Sequence, residues 1–395
     1  MREVFAHNVF VPGVCVGRHT VALKIPGRGE TGQIVVDGPP GRPQSWRGAL
    51  TEVDRVESTE PADVLGFLAQ HEASVARGDV GIGLLLGARG CALLGGVPLG
   101  AESPVDVPEC VAVAYRRGGD PVRPGRAEVG EWTTSWSDAE HAAAVEQVRE
   151  AIGRGDVYQA NVVGHRSAPF AGDPGALTAL SRLPGARYGG MVTGAGWAVA
   201  SASPEQLVRV TGDRITTVPI KGTSHDPKLL QASLKDRAEH VMIVDLERND
   251  LARVTQPGSV VVEELFALSE WSGLWHASSV VIGTLQPGIG VAEVLRAVLP
   301  GGSVTGAPKH AACGLLAGLE PVGRGPAMGA MGFLSAEGLD LGLTIRTVAA
   351  AGSRVHLWAG GGITWGSDPY TEVAEAHAKA GPVMRALAQV RPSSS

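Results

Sequence analysis

Strand-like and helix-like stretches follow one another in this chain without a regular strand–helix–strand rhythm, and that irregularity excludes a doubly wound parallel sheet. Over residues 1 to about 130 the β-like runs are short: Ile34-Val35-Val36, Gly83-Leu84-Leu85-Leu86 and Val111-Ala112-Val113-Ala114-Tyr115. Glycine and proline punctuate them, and the totals of 55 Gly and 26 Pro imply many turns and close backbone approaches. The segment 118–130, rich in Gly, Pro and Arg, reads as a linker or surface loop. Ser137 and Glu140 then make a capping box ahead of an Ala-rich amphipathic run that Gly153-Arg154-Gly155-Asp156 ends. The run 157–163 reads as a strand. An α+β architecture with large sheets and peripheral helices fits this order, and 395 residues leave one large domain or two open.

Composition narrows the function. A net charge of -6 and a sequence pI near 6.0 argue against a general nucleic-acid binder. Cys15, Cys91, Cys110 and Cys313 have no metal-ligand or disulfide-framework spacing, which suits a reducing cytoplasm. The first residues carry no apolar signal segment, and the apolar stretch 80–98 is broken by repeated glycines and Arg89. The expectation is a soluble cytoplasmic protein.

Several residues then stand out as chemistry-bearing. In Pro219-Ile220-Lys221-Gly222-Thr223 a lysine follows the β-branched run 214–218 and precedes a glycine. On a rigid support, desolvation would lower the amine's pKa and make it nucleophilic, whereas a strand-end lysine facing water would do nothing. Ser203-Pro204-Glu205 fixes a carboxylate after a proline-stiffened turn, a general acid if partly buried and an ordinary surface turn otherwise. Asp236 and Glu239 share a helix face at i and i+3, as do Glu372 and Glu375, with Lys379 one turn beyond. Two such pairs suit Mg²⁺, which takes hard oxygen ligands, and they equally suit two solvated helix faces. The glycine-rich stretches 301–309 and 359–363 could offer backbone N–H groups to an anion, and neither is a nucleotide loop, so a carboxylate is the better fit. Leu343-Thr344-Ile345-Arg346-Thr347 reads as an alternating strand aiming Arg346 inward, for bidentate carboxylate binding or a structural ion pair.

In combination and in order, GDVYQANV, SASPE, PIKGT, KDRAEHVMIVDLERNDLARV, LWHASS, LPGGSVTGAPK, LTIRT, AGGGI and SDPYTEVAEAHAKA resemble the chorismate-utilising enzymes over roughly residues 130 to 390. The resemblance implies one large chorismate-binding fold, two big mostly antiparallel sheets packed together with helices outside. It implies a variable N-terminal part over 1–130, a catalytic region over 131–391 and a tail at 392–395. It implies that Glu205 protonates the departing 4-hydroxyl of chorismate. Glu239 and Glu375 would be the principal Mg²⁺ ligands, and Asp236 and Glu372 their helix partners. Arg346, Lys379 and the backbone of Gly360, Gly361 and Gly362 would hold the substrate carboxylates. His276 and Ser303 would line the pocket around the leaving hydroxyl, with Gly222 and Thr223 beside the lysine.

Two positions separate the subfamilies. Relatives that activate water at C2 carry a lysine where this chain has Gln159. Lysine at 221, where relatives aminating at C2 usually carry alanine, resembles aminodeoxychorismate synthase component I and implies a covalent Lys221 intermediate. No glutaminase motif is visible in the chain, so ammonia would come free or from a separate glutaminase subunit. The alternatives are a synthase aminating at C2 and a catalytically silent chorismate-binding homologue.

Overall fold

The computed structural model describes residues 23–24, 34–36, 50–118, 125–271 and 274–389. Its framework is two large sheets. An eleven-stranded sheet runs Leu23–Lys24, Leu50–Ser58, Cys110–Arg117, Gly81–Leu86, Ala330–Ser335, Gly338–Leu343, Gln206–Thr211, Arg214–Val218, Leu274–Thr284 and Ile220–Ser224, with Val261–Trp271 also paired to Leu274–Thr284. A nine-stranded sheet runs Gly306–Ala307, Gln159–Gly172, Arg354–Ile363, Thr347–Ala351, Trp197–Ser203, Tyr188–Gly194 and Ile34–Val36, with two short strands added along Gln159–Gly172. Among the described pairs all are antiparallel except the short pairing of Leu23–Lys24 with Leu50–Ser58. The two-sheet α+β expectation is met.

The core explains why the sheets stack. Strand Gly81–Leu86 is buried along its whole length, and with it Val111, Val113, Leu341 and Leu343 meet Val163, Val192, Trp197 and Val199 of the other sheet. Side chains alternate across a strand, so each sheet gives one apolar face to this shared layer. Fully burying one such aliphatic side chain is worth about 1.5–3 kcal/mol, and dozens of them hold the two sheets in one register. The opposite face of the nine-stranded sheet is covered by the Pro369–Ala388 helix through Ala380, Val383 and Leu387. The apolar stretch 80–98 is a strand, a turn and the Ala88–Gly95 helix, and no helix among the described residues is long and apolar enough to cross a membrane.

Local readings fared unevenly. The Ser137–Glu140 capping box opens the Asp138–Arg154 helix, and Gly155 closes it in the left-handed conformation. Strand Arg214–Val218 has the boundaries that its β-branched run suggests. The segment 118–130 is not all loop, because Ala127–Val129 pairs with Gln159–Gly172. The glycines 360–362 also lie in a strand, Arg354–Ile363, rather than in a loop. Gly360 packs so closely on Gln159–Gly172 that a Cβ there would lie 2.0 Å from the Val162 carbonyl oxygen. The N-terminal residues 1–22 and the tail 392–395 lie outside the described residues.

Candidate active site

Two of the points at which the chain changes sheets are neighbours, and both crossings carry a residue of the site. Trp197–Ser203 belongs to the nine-stranded sheet and Gln206–Thr211 to the eleven-stranded one, so Pro204 and Glu205 form the crossing. The return crossing runs from Gly338–Leu343 to Thr347–Ala351 through Thr344, Ile345 and Arg346. The alternating strand read over 343–347 is therefore broken. Thr344 is held by the Met328 and Gly329 backbone N–H groups, and Arg346 has a left-handed φ of 51°. Its guanidinium is partly buried, and burial pulls its pKa down, with no carboxylate among the described residues opposing. Such a cation suits an anionic ligand better than a structural ion pair.

Glu205 is 5% exposed and sits in a cage of donors. Its Oε1 accepts the Ile220 N–H at 3.4 Å, and the Ser303 side chain donates to it as well. Burial pushes its carboxyl above the ordinary range, while the Lys221 charge and these hydrogen bonds pull the other way. The surface-turn alternative is thereby removed.

Lys221 lies within strand Ile220–Ser224, not at a strand end. The strand pairs with Leu274–Thr284, and its register slips between Lys221 and Thr223, where Gly222 takes a φ of 77°. This is a bulge, which re-aims the side chain before it. Only glycine suits the place, since a Cβ would also lie 2.6 Å from Leu230 Cδ1. The Lys221 amine donates to the Ser303 carbonyl oxygen at 3.2 Å. Burial lowers its pKa, Glu205 raises it, and Lys379 lowers it further. Solvated strand-end lysine is not what the fold provides. His276 is buried on the neighbouring strand, directly opposite Thr223 in the register.

The two carboxylate pairs come from helices facing this lysine. Ser233 caps the Leu234–Ala252 helix by accepting the Asp236 N–H, and Asp368 caps the Pro369–Ala388 helix by accepting the Thr371 N–H. The charges of both Glu239 and Glu375 reach the Lys221 ammonium. A Cβ on Gly361 would lie 3.2 Å from Glu372 Oε2, 3.4 Å from Lys379 Nζ and 3.8 Å from Glu375 Oε1, so these three converge on that glycine. Glu372 is buried and accepts from Ser367 Oγ at 2.6 Å. Lys379 is paired with Glu375 at 2.6 Å and donates to the Gly360 carbonyl at 2.9 Å, so this lysine already has an anionic neighbour. Asp236 stands beside the Gly222 bulge.

Among the described residues no three His, Cys, Asp or Glu side chains are grouped closely enough to enclose a metal by themselves. The donor set nevertheless fits a hard divalent cation, because all four residues offer carboxylate oxygens. Mg²⁺ in particular keeps several waters and needs only one or two protein carboxylates.

Three residues near the site escaped sequence reasoning. Thr364 donates to Glu239 Oε1 at 3.5 Å. His240 is fully buried, with Nε2 2.5 Å from Ser279 Oγ, and burial together with the Lys221 charge lowers its pKa to about 4. Glu247 accepts from Thr217 at 3.2 Å and is pushed up to about 8 by burial and Asp250. His240 and Glu247 both lie in the stretch KDRAEHVMIVDLERNDLARV, which is a signal for each, whereas the Thr364 contact depends on tertiary pairing.

Residues 111–385 match the family model described as chorismate binding enzyme. Anthranilate synthase component 1 of Streptomyces coelicolor is 40% identical over 257 residues, 62% of this chain and 50% of that protein. Aminodeoxychorismate synthase component 1 of Salmonella typhimurium is 36% identical over 268 residues, 65% of this chain and 59% of that one. The matched region thus spans about half the length of these curated relatives. In fold, the chain is similar to the crystal structure of anthranilate synthase component I from Streptococcus pneumoniae, with a TM-score of 0.72 and 23% identity, over 97% of this chain and 96% of that one. With a family model matched over residues 111–385, most of its length, the chain belongs to the chorismate binding enzyme family.

Proposed function

We propose that this protein aminates chorismate at C4, giving 4-amino-4-deoxychorismate through a covalent Lys221 intermediate. The observation that carries the reading is the buried pairing of Lys221 with Glu205 across the Ser303 turn. A nucleophilic amine and a proton donor are both needed when one allylic substituent enters as another departs.

In this reading the neutral Lys221 amine forms a bond to C2 of the ring. The ring double bond shifts, the C4–O bond breaks, and Glu205 gives its proton to the departing hydroxyl, which leaves as water. Ammonia then bonds to C4, the double bond shifts back, and the C2–N bond to Lys221 breaks. The surplus proton on the entering nitrogen returns to the site, restoring the amine and the acid. Arg346 holds one substrate carboxylate, and Lys379 with the backbone of Gly360–Gly362 holds the other. His276 and Ser303 line the pocket, with Thr223 and Gly222 next to the nucleophile. Glu239 and Glu375 would hold Mg²⁺, supported by Asp236 and Glu372, and when bound the ion would neutralise the ring carboxylate. Ammonia is supplied free or by a separate glutaminase subunit, consistent with relatives named as component 1. Folate-type precursor synthesis in the cytoplasm is the setting this product suits.

A second reading, amination at C2 to an anthranilate-type product, draws on the 40% identity to the Streptomyces coelicolor anthranilate synthase component. Incubating the protein with chorismate, Mg²⁺ and ammonium, and identifying the product by mass and ultraviolet spectrum, separates the two.

A further inference from the structure

Away from the lysine site, a cleft of about 310 Å³ opens between the Ala88–Gly95 helix and the Lys309–Leu319 helix. Arg89, Glu102, Glu109, Thr305, Cys313 and Arg324 are part of its wall. Glu109 is only 8% exposed, and among the described residues its Oε2 has no hydrogen-bond partner. The carboxyl stands against the start of the Ala88–Gly95 helix, where a Cβ on Gly87 would lie 2.5 Å from Oε2. Burial pushes it up to about 7, with the Arg89 charge and a hydrogen bond from the Arg89 backbone N–H acting against that.

The other charges in the wall are already matched. Arg324 donates twice to Glu320, and also to the carbonyls of Val304 and Asn161; Glu320 takes the Val163 N–H as well. That leaves Glu102 and Glu109 against Arg89, an excess of negative charge, with Glu102 and Arg89 exposed at the rim. A buried carboxylate oxygen without a donor is costly, and a ligand that supplies both N–H groups and a positive charge removes the cost most completely.

We propose that this cleft binds a small ammonium cation, ammonium itself or a short primary alkylammonium, whose N–H groups donate to the Glu109 carboxylate. Thr305 in its wall ends the same one-turn helix, Gly302–Thr305, whose Ser303 carbonyl receives Lys221, so the cleft and the nucleophile share a wall. The use of this ion as the nitrogen donor rests on the amination reading above; its binding does not.

The test is ¹H–¹⁵N correlation spectroscopy of the intact chain in ¹⁵N-ammonium chloride without chorismate. A correlation from bound ammonium is expected, weakened about tenfold in apparent affinity by Glu109→Gln, which deletes the charge. Methylammonium should displace the signal, whereas equal displacement by potassium, or no bound signal at all, overturns the proposal. Should Glu109→Gln not fold, Arg89→Ala decides at an exposed position: removal of the competing charge strengthens binding, and weaker binding contradicts the assignment. In the amination assay Glu109→Gln should raise half-saturating ammonium without changing the KM for chorismate. An intact bound signal with unaltered ammonium dependence would remove only the link to the reaction.

Discussion

Glu205 and Arg346 occupy adjacent crossings between the two sheets, tied by their own backbones: the Leu343 N–H donates to the Glu205 carbonyl at 3.1 Å, and the Ala202 N–H to the Arg346 carbonyl at 3.0 Å. Each residue is thus held by strands of both sheets, which is how a buried carboxyl and a partly buried guanidinium are kept in place.

The first prediction concerns the acid. Glu205→Gln should lower kcat by about 10²–10⁴ with little change in the KM for chorismate. Its carboxyl is raised by burial, so it stays protonated beyond the usual carboxylate range, and the wild-type rate falls on the alkaline side as that proton is lost. In Glu205→Gln the Lys221 amine must still lose its proton while the acid is gone, so the residual rate should climb with pH and the alkaline fall should vanish. A retained alkaline fall would assign the proton to another group.

Arg346 sets function against stability. A left-handed arginine costs about 1–2 kcal/mol relative to an unstrained backbone, and glycine removes most of that. Arg346→Gly should leave denaturant stability equal to wild type or up to about 1 kcal/mol higher, because glycine's greater freedom in the unfolded chain takes back part of the gain. The same variant should raise the KM for chorismate by about 10-fold or more, through loss of a charged hydrogen-bond donor. A destabilised variant with unchanged KM would make the guanidinium structural.

Magnesium dependence is the third expectation. Glu239→Gln and Glu375→Gln should each abolish turnover while the circular dichroism spectrum stays native, and excess chelator should do the same to the wild type. Full activity in chelator contradicts the assignment. Glu375→Gln also releases Lys379 from its ion pair, so of the two Glu239→Gln is the cleaner variant.

Close packing gives a fourth. Gly362→Ala puts a Cβ 2.0 Å from Gln159 Nε2, and Gly360→Ala puts one 2.0 Å from a backbone oxygen. A side chain can give way and a paired strand cannot, so Gly360→Ala should cost more, about 3 kcal/mol against about 1 for Gly362→Ala, measured by urea unfolding.

What the sequence made legible was local or motif-borne. The Ser137 cap, strand Arg214–Val218 and the buried support for Lys221 follow from neighbouring residues, and the family order brought Glu205, Glu239, Glu375 and Lys221 into one site. The errors came where tertiary pairing overrode local pattern. Leu343–Thr347 alternates like a strand, yet the change of sheet at Arg346 breaks it. Gly360–Gly362 has a loop's composition, and it lies in a strand paired with Gln159–Gly172, with backbone close to Gly360 and side chains close to Gly361 and Gly362. The Lys379–Glu375 pair follows the i,i+4 helix spacing, whereas the Thr364 contact to Glu239 joins residues far apart in sequence whose meeting no spacing rule specifies.

The central claim is the covalent role of Lys221, and intact-mass measurement tests it most directly. After chorismate and Mg²⁺ are supplied without ammonia, the wild-type protein should gain a substrate-derived mass that peptide mapping places on Lys221, and Lys221→Ala should gain none. With ammonium present, Lys221→Ala should shift the product toward amination at C2. An unmodified wild-type mass, together with an unchanged product from Lys221→Ala, would contradict both the mechanism and the C4 assignment.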